Sequence, residues 1–354
     1  MIWLTWRQFR AQAAMLAAAL AVLTVILGLT GPGLADKYSD GIAACVANGG
    51  DCSDFVEQFF EEHRDAFLAV TAVVLVLPAL IGFFWGAPLI ARELEAGTHR
   101  LVWNQSVTRT RWLAVKLGLV GLAAIVAAGL GSLAVDWWSD PIDKTAADQF
   151  ARMEPLMFAA RGVVPMAYAG FAFALGVTVG MLVRRTVPAM AITLAVFVAA
   201  QVAMPLLVRP NLIPPVQSTF EITGSNIDQF VFSPDGLLVR GKPHDEGGAW
   251  MLSSHIVDAS GNEVDAIPVS KSLSPTSGPC APPEPTSGEA PVGPGEELSP
   301  CLAVLTRLGY RQQATYQPDS RFWRFQLYET GIYTALAAAL AGFCFWRIRN
   351  RGNI

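Results

Sequence analysis

The chain is short of charge. Lys, Arg, Asp and Glu together make up 15% of its 354 residues, where soluble domains carry about a quarter. With 53% hydrophobic residues and a mean hydropathy of +0.40, the deficit points to a membrane protein before any span is placed. Motifs for chemistry are scarce too. The four histidines, His63, His99, His244 and His255, form no H-E-x-x-H pair, and no C-x-x-C occurs, so a metal site is unsupported. No G-x-S-x-G nucleophile turn is present. Gly236 to Lys242 matches most of a phosphate-binding loop, but the next residue is Pro243. That position needs a Ser or Thr hydroxyl for magnesium, and proline has no N–H to offer a phosphate. The chain is therefore expected to be no enzyme, to hold no cofactor or metal, and to bind no nucleic acid.

Charge is also missing from the middle of the apolar runs. Asp136 and Glu329 fall at run ends, and Gln201 is the main polar residue deep inside one. A packing hydrogen bond is the expected role of Gln201. A lack of buried charge argues against an ion- or proton-coupled transporter.

What is present is length of apolar sequence. Six runs approach the ~20 residues a bilayer needs: 11–29, 66–91, 112–135, 162–183, 187–208 and 327–346. Before the first, Trp3, Trp6, Arg7 and Arg10 recur at helical spacing, which predicts an interfacial helix. Residues 34–65 and 136–161 are polar, acidic connections. Short basic loops stay on the cytoplasmic side of a bilayer. Arg92 to Lys116, Arg184–Arg185 and the closing RIRNRGNI all satisfy that rule if both termini are cytoplasmic.

Between the fifth and sixth runs lies a long non-membrane stretch. FEITG, QFVFS, GLLVRG and SSHIVDASG, within 220–265, read as strands and turns. Residues 271–300 are rich in Pro, Ser, Gly and Glu and read as a flexible linker, and 302–309 reads as a short helix. Residues from Tyr316 onward return to the membrane. Cys45, Cys52, Cys280 and Cys301 all fall in segments placed outside, where oxidation permits disulfides. Three pairings exist, and Cys45–Cys52 with Cys280–Cys301 is favoured.

One loop stands out. In GAPLIARELEAGTHRLVWNQSVTRTRWLAVKL, positive charge crowds around Glu93 and Glu95. ARELEAGTHRLVW predicts a short helix stopped or bent at Gly97, with Leu94, Leu101, Val102 and Trp103 as apolar contacts. This loop, between two apolar helices, resembles the permease subunit of type-2 ATP-binding-cassette exporters, with actinobacterial-like members the nearest likeness. TYQPDSRFWRFQLYETGIY before the last run resembles the family as well.

The resemblance implies an all-α polytopic membrane protein, with six transmembrane helices and a small mixed α/β extracellular domain before the last. It implies that 91–112 is a coupling loop docking on a separate ATPase subunit through Arg92, Glu93, Glu95, Gly97, Thr98 and Arg100. It also implies a permease homodimer in the lipid bilayer of the cell membrane. Arg321, Phe322 and Trp323 are candidates for an outer gate, with an aromatic belt the plainer reading. The expected organisation is 1–208, with the interfacial helix and five spans; 209–325, extracellular; and 326–354, the last span with a basic cytoplasmic tail. The expected cargo is an amphipathic drug, lipid or peptide. A membrane-anchored sensor or envelope-assembly protein, without transport, is the alternative.

Overall fold

The computed structural model describes residues 2–49, 52–97, 108–146, 150–224, 226–233, 236–243, 248–270, 273–274, 276, 278–281 and 299–350. The stretch 271–300, expected to be a linker, lies largely outside them. The chain divides into two compact units, Met1–Leu212 with Phe322–Ile354, and Ile213–Arg321.

The first unit is helical. Its elements are α1 (Ile2–Ala47), α2 (Ser53–Ile81), a π-helical turn (Gly82–Gly86), α3 (Ala87–Glu95), α4 (Arg109–Thr145), α5 (Pro155–Ala160), α6 (Val164–Val183) and α7 (Thr186–Ala203). A second π turn (Met204–Val208) and a 3-10 turn (Arg209–Asn211) follow, and α9 (Phe322–Asn350) returns to this unit from the other. Among the described residues, six helical stretches are long and apolar enough to cross a membrane: Phe9–Ala47, Ser53–Glu95, Arg109–Thr145, Val164–Val183, Thr186–Asn211 and Asp319–Asn350.

Several of these overrun the expected spans. The first was expected to end at Leu29 and to follow a separate interfacial helix. Instead α1 runs unbroken from Ile2 to Ala47 through Pro32, about 69 Å at 1.5 Å per residue. The acidic connection 34–65 is mostly helix as well. Its polarity conceals a period: Phe59, Phe60 and Phe67 recur on one face and bury against Leu34, Trp138, Ile142 and Ala146. The result is a helical hairpin, with a disulfide joining Cys45 to Cys52 across the turn. The second span likewise continues past Ala91 to Glu95, so the short loop helix is the end of a span.

The centre of the bundle is α6, whose most apolar window is 78% buried, against 6% for that of α1. Small residues bring its neighbour close. A Cβ on Gly176 would meet Ala87 N and Gly82 O at 2.6 Å, and one on Gly180 would meet Ala87 O at 2.5 Å. Conversely, a Cβ on Gly86 would lie 2.7 Å from Phe173 O. Backbone touches backbone there, as small residues permit between membrane helices. Pro78 and the π turn lie next to this crossing, where a widened helical turn re-aims the end of the span.

The second unit holds the strands β1 (Val216–Phe220), β2 (Ile227–Ser233), β3 (Gly236–Gly241), β4 (Trp250–Val257), β5 (Glu263–Val264) and β6 (Arg311–Gln317), with α8 (Ser299–Arg307) before β6. One antiparallel sheet has the order β1-β6-β4-β5, and β2-β3 is a separate hairpin. Residues 316–317 were expected to be returning to the membrane, yet they end a central strand. Gln312 and Gln317 are buried in β6 beside Ala314 and Tyr316, so its inward face shows no hydrophobic alternation to read. The run from Gly236 forms an extended strand rather than a strand-to-helix phosphate loop. Cys280 and Cys301 are joined in the core beneath α8, with Leu237, Ile267, Leu302 and Leu305.

Two outcomes test this packing. Gly180→Leu should destabilise the detergent-solubilised protein by more than the ~1–3 kcal/mol typical of overpacking, because backbone fills the space. Gly118→Ala, with nothing within 4 Å, should be neutral or slightly stabilising by thermal unfolding. Replacing both Cys280 and Cys301 with Ser should cost roughly 3 kcal/mol, the chain-entropy value for a loop of this size. Mass mapping with and without reductant should show both disulfides.

Candidate functional site

At one end of the helical unit, α3 stops where Gly97 takes a φ of +69°, a left-handed conformation that costs glycine little. The acids beside it are engaged within the chain. Glu93 accepts a hydrogen bond from Lys116 Nζ on α4, with side chains only 14% and 4% exposed. Lys116 also lies 4.8 Å from the centre of the Trp112 ring. Glu95 Oε2 accepts from the Thr186 backbone N–H at 2.9 Å and its hydroxyl at 2.7 Å. A carboxylate here meets the unpaired N–H groups and positive dipole of the first turn of α7. Leu94 packs against the core, and Arg92 is exposed. Thr98 and Arg100, with Leu101, Val102 and Trp103, lie outside the described residues.

Other basic residues gather at this end. Arg111 lies in the first turn of α4, Arg184 and Arg185 join α6 to α7, and Arg349 lies in the last turn of α9; all are exposed. Arg184 makes the tight turn with a φ of 58°. Ile90, Trp112, Met181 and Ile348 share one buried cluster just inside. The arrangement is a positive, exposed rim over an apolar core, with α3 wired to both α4 and α7.

The opposite end of α6 carries a polar network that sequence reading missed. Expecting no buried charge within the spans was wrong. Glu329, inside the last membrane-capable helix, is fully buried, and Arg209 is 1% exposed. Arg209 Nε donates to Glu329 Oε2 at 2.9 Å and Nη2 to Oε1 at 3.1 Å. Tyr168 OH donates to the same carboxylate, and the guanidinium stacks 4.0 Å from the centre of Phe158. The available clue was one acid and one base bordering the last two apolar runs.

Gln326, one turn away, completes the clamp. Its Oε1 accepts the Val163 and Val164 N–H groups at 3.0 Å, and its Nε2 donates to the carbonyls of Phe158 and Arg161. Arg161 pairs with Asp143 at 3.2 Å. Gln201 Oε1 accepts from Tyr333 OH at 3.4 Å, a packing contact.

The three gate candidates have separate surroundings. Arg321 donates to Pro214 O at 2.7 Å and Gln317 Oε1 at 2.9 Å, closing the base of the sheet unit. Phe322 is buried under the guanidinium of Arg152 at 4.2 Å, and Trp323 is exposed.

Removing one partner of a buried pair leaves an uncompensated charge and costs about 3–5 kcal/mol. Arg209→Met and Glu329→Leu should each lower thermal stability on that scale. Combining them should recover most of the loss. Additive losses in thermal unfolding would show that the two side chains act independently.

Comparison with known proteins gives one match. Residues 17–209, more than half of the chain, match the family described as ABC-2 membrane transporter related. Neither a curated protein nor a solved structure matches. The match runs from within α1 through α7, with the wired end of α3, and stops before the sheet unit. Such permeases in general pair with an ATPase subunit. With six helices able to cross a membrane, the chain is a multi-pass membrane protein that belongs to the ABC-2 membrane transporter related family.

Proposed function

We propose that this chain is the permease subunit of an ATP-driven exporter and moves an amphipathic substrate through a path lined by two copies. ATP hydrolysis is supplied by a separate ATPase subunit, which docks on the arginine-rich end. On this reading that end is cytoplasmic, together with both termini, and the Cys45–Cys52 hairpin and the sheet unit lie outside. The outward placement agrees with the disulfides, which need an oxidising compartment.

The observation that carries the proposal is the wiring of α3. An exposed helix end bearing Arg92 is tied to α4 through Glu93–Lys116 and to α7 through Glu95–Thr186. It is also locked to α6 by the glycine crossing. A push at Arg92 therefore reaches three spans without passing through a soft loop. Glu93 and Glu95 act as internal tethers in this scheme, and the arginines are the contact surface. The outward direction follows the family likeness.

Arg92→Glu combined with Arg111→Glu alters two exposed positions and no buried contact, so folding should survive. Co-purification with the cognate ATPase subunit should fall at least about tenfold, the effect of ~1.4 kcal/mol, with an unchanged melting temperature. Retention of the ATPase subunit by a folded double variant would sink the proposal. Glu95→Ala should differ in kind, lowering the melting temperature through loss of the side-chain acceptor that caps the start of α7.

A further inference from the structure

Beyond docking and general amphiphile transport, the groove between α1 and α4 has a chemistry of its own. It holds about 910 Å³. Leu16, Leu20 and Val25 line it from α1, and Val126, Leu130 and Leu133 from α4. Thr24 supplies the one hydroxyl, and that group is already bonded to Leu20 O at 2.8 Å. The groove therefore asks for hydrocarbon.

At its far end stands Trp137. A Cβ on Gly31 would lie 2.8 Å from this indole, so the ring rests on bare backbone and its position depends on that glycine. Beyond it a second cavity of about 370 Å³ continues along the same two helices. Trp137 lines both. Asp136, Asp140, Gly31 and Pro32 line the second. Pro32 has no N–H, so the Gly28 carbonyl, one turn earlier, loses its helical donor. Two carboxylates, a π face and a backbone carbonyl are acceptors, and the indole N–H is the lone donor among them. Each acceptor favours a cation.

The wider field has the same sign. Residues 36–65 carry eight acids against Lys37 and Arg64. Nearby, Asp140 is paired with Lys144 at 2.7 Å and Asp143 with Arg161 at 3.2 Å. Asp136 accepts Gly162 N–H at 3.0 Å and lies 3.9 Å from Arg161. Arg161 thus serves two carboxylates, and Arg152 also acts on Asp136; the excess of acid at this end comes from residues 36–65.

We infer that this groove binds a cationic amphiphile, its alkyl chain between α1 and α4 and its ammonium head beside Trp137, Asp136 and Asp140. The inference rests on the permease reading only for what the occupant is used for. Binding itself requires no ATPase subunit.

The test uses the full chain in nanodiscs of zwitterionic lipid and two photoreactive dodecyl probes, one with a trimethylammonium head and one with a sulfate head. The cationic probe should label peptides from 13–28 and 123–137, and excess dodecyltrimethylammonium should displace it. Asp140→Asn alters an exposed pair and should cut labelling about three- to fivefold, the effect of one partly screened charge contact. Lys144→Gln frees Asp140 and should raise labelling, which damage to the fold would not do. Ala21→Trp, filling the groove, should abolish it. Equal labelling by the sulfate probe would overturn the inference and make the groove an ordinary lipid-facing surface. Indifference to Asp140→Asn and Lys144→Gln would overturn it too. So would absence of labelling with a permease–permease cross-link through this face, because a second copy would then fill the groove. None of these results bears on ATPase association, so the two readings fail separately.

Discussion

Backbone-to-backbone contact between Gly82–Gly86 and Gly176–Gly180 is the constraint on which the helical unit depends. Lipid tails are as apolar as leucine, so burial of hydrocarbon alone gives membrane helices little reason to associate. Dispersion between closely fitted surfaces has to do it, and bare backbone gives the closest fit. The crossing draws the α2–α3 stretch onto α6, and α6 in turn touches α4, α7 and α9. Side-chain locks then secure both ends of α6. Gln326 caps its start, and Glu95 fixes the helix that follows its end.

The two ends handle charge differently. Around Arg209 and Glu329 every charge is buried against an opposite one, with tyrosine hydroxyl and ring contacts filling in. Such a network is demanding in geometry and contributes rigidity more surely than net stability. At the arginine end, Glu93 and Glu95 are occupied internally while Arg92, Arg111, Arg184 and Arg185 stay exposed. The residual field there is positive. Along α4, Lys116 and Trp137 mark the two polar limits, 21 residues and about 31 Å apart, close to the hydrocarbon thickness of a bilayer.

Much of this was legible in the residues. Six apolar runs became six membrane-capable helices, because runs of that length and composition have few other stable forms. Helix ends were less legible. Phe59, Phe60 and Phe67 carried a helical period, but the surrounding acids made 34–65 look like a loop. β6 hid for the opposite reason, since it buries glutamines that bond within the unit: Gln317 reaches Ile213 O and Gln312 reaches Ser254 Oγ. The site was half visible. Charge density picked out Arg92 to Glu95, but nothing local says that Glu95 will find Thr186 or that Arg209 will find Glu329. Those partners are 91 and 120 residues apart, and only the folded helices bring them together.

The covalent tie at the tip of the first hairpin bears on how α1 can move. This helix is the least enclosed of the six, yet Cys45 anchors it to the start of α2. Should it peel from its neighbour, the remaining freedom is a swing about that anchor, as one leg of a pair of compasses. A 5° swing would displace Ile2 by about 6 Å, given ~69 Å of helix, and would leave the anchored tip nearly still. Any gap it opened would be a wedge, wide at the amino terminus and closed at the cystine.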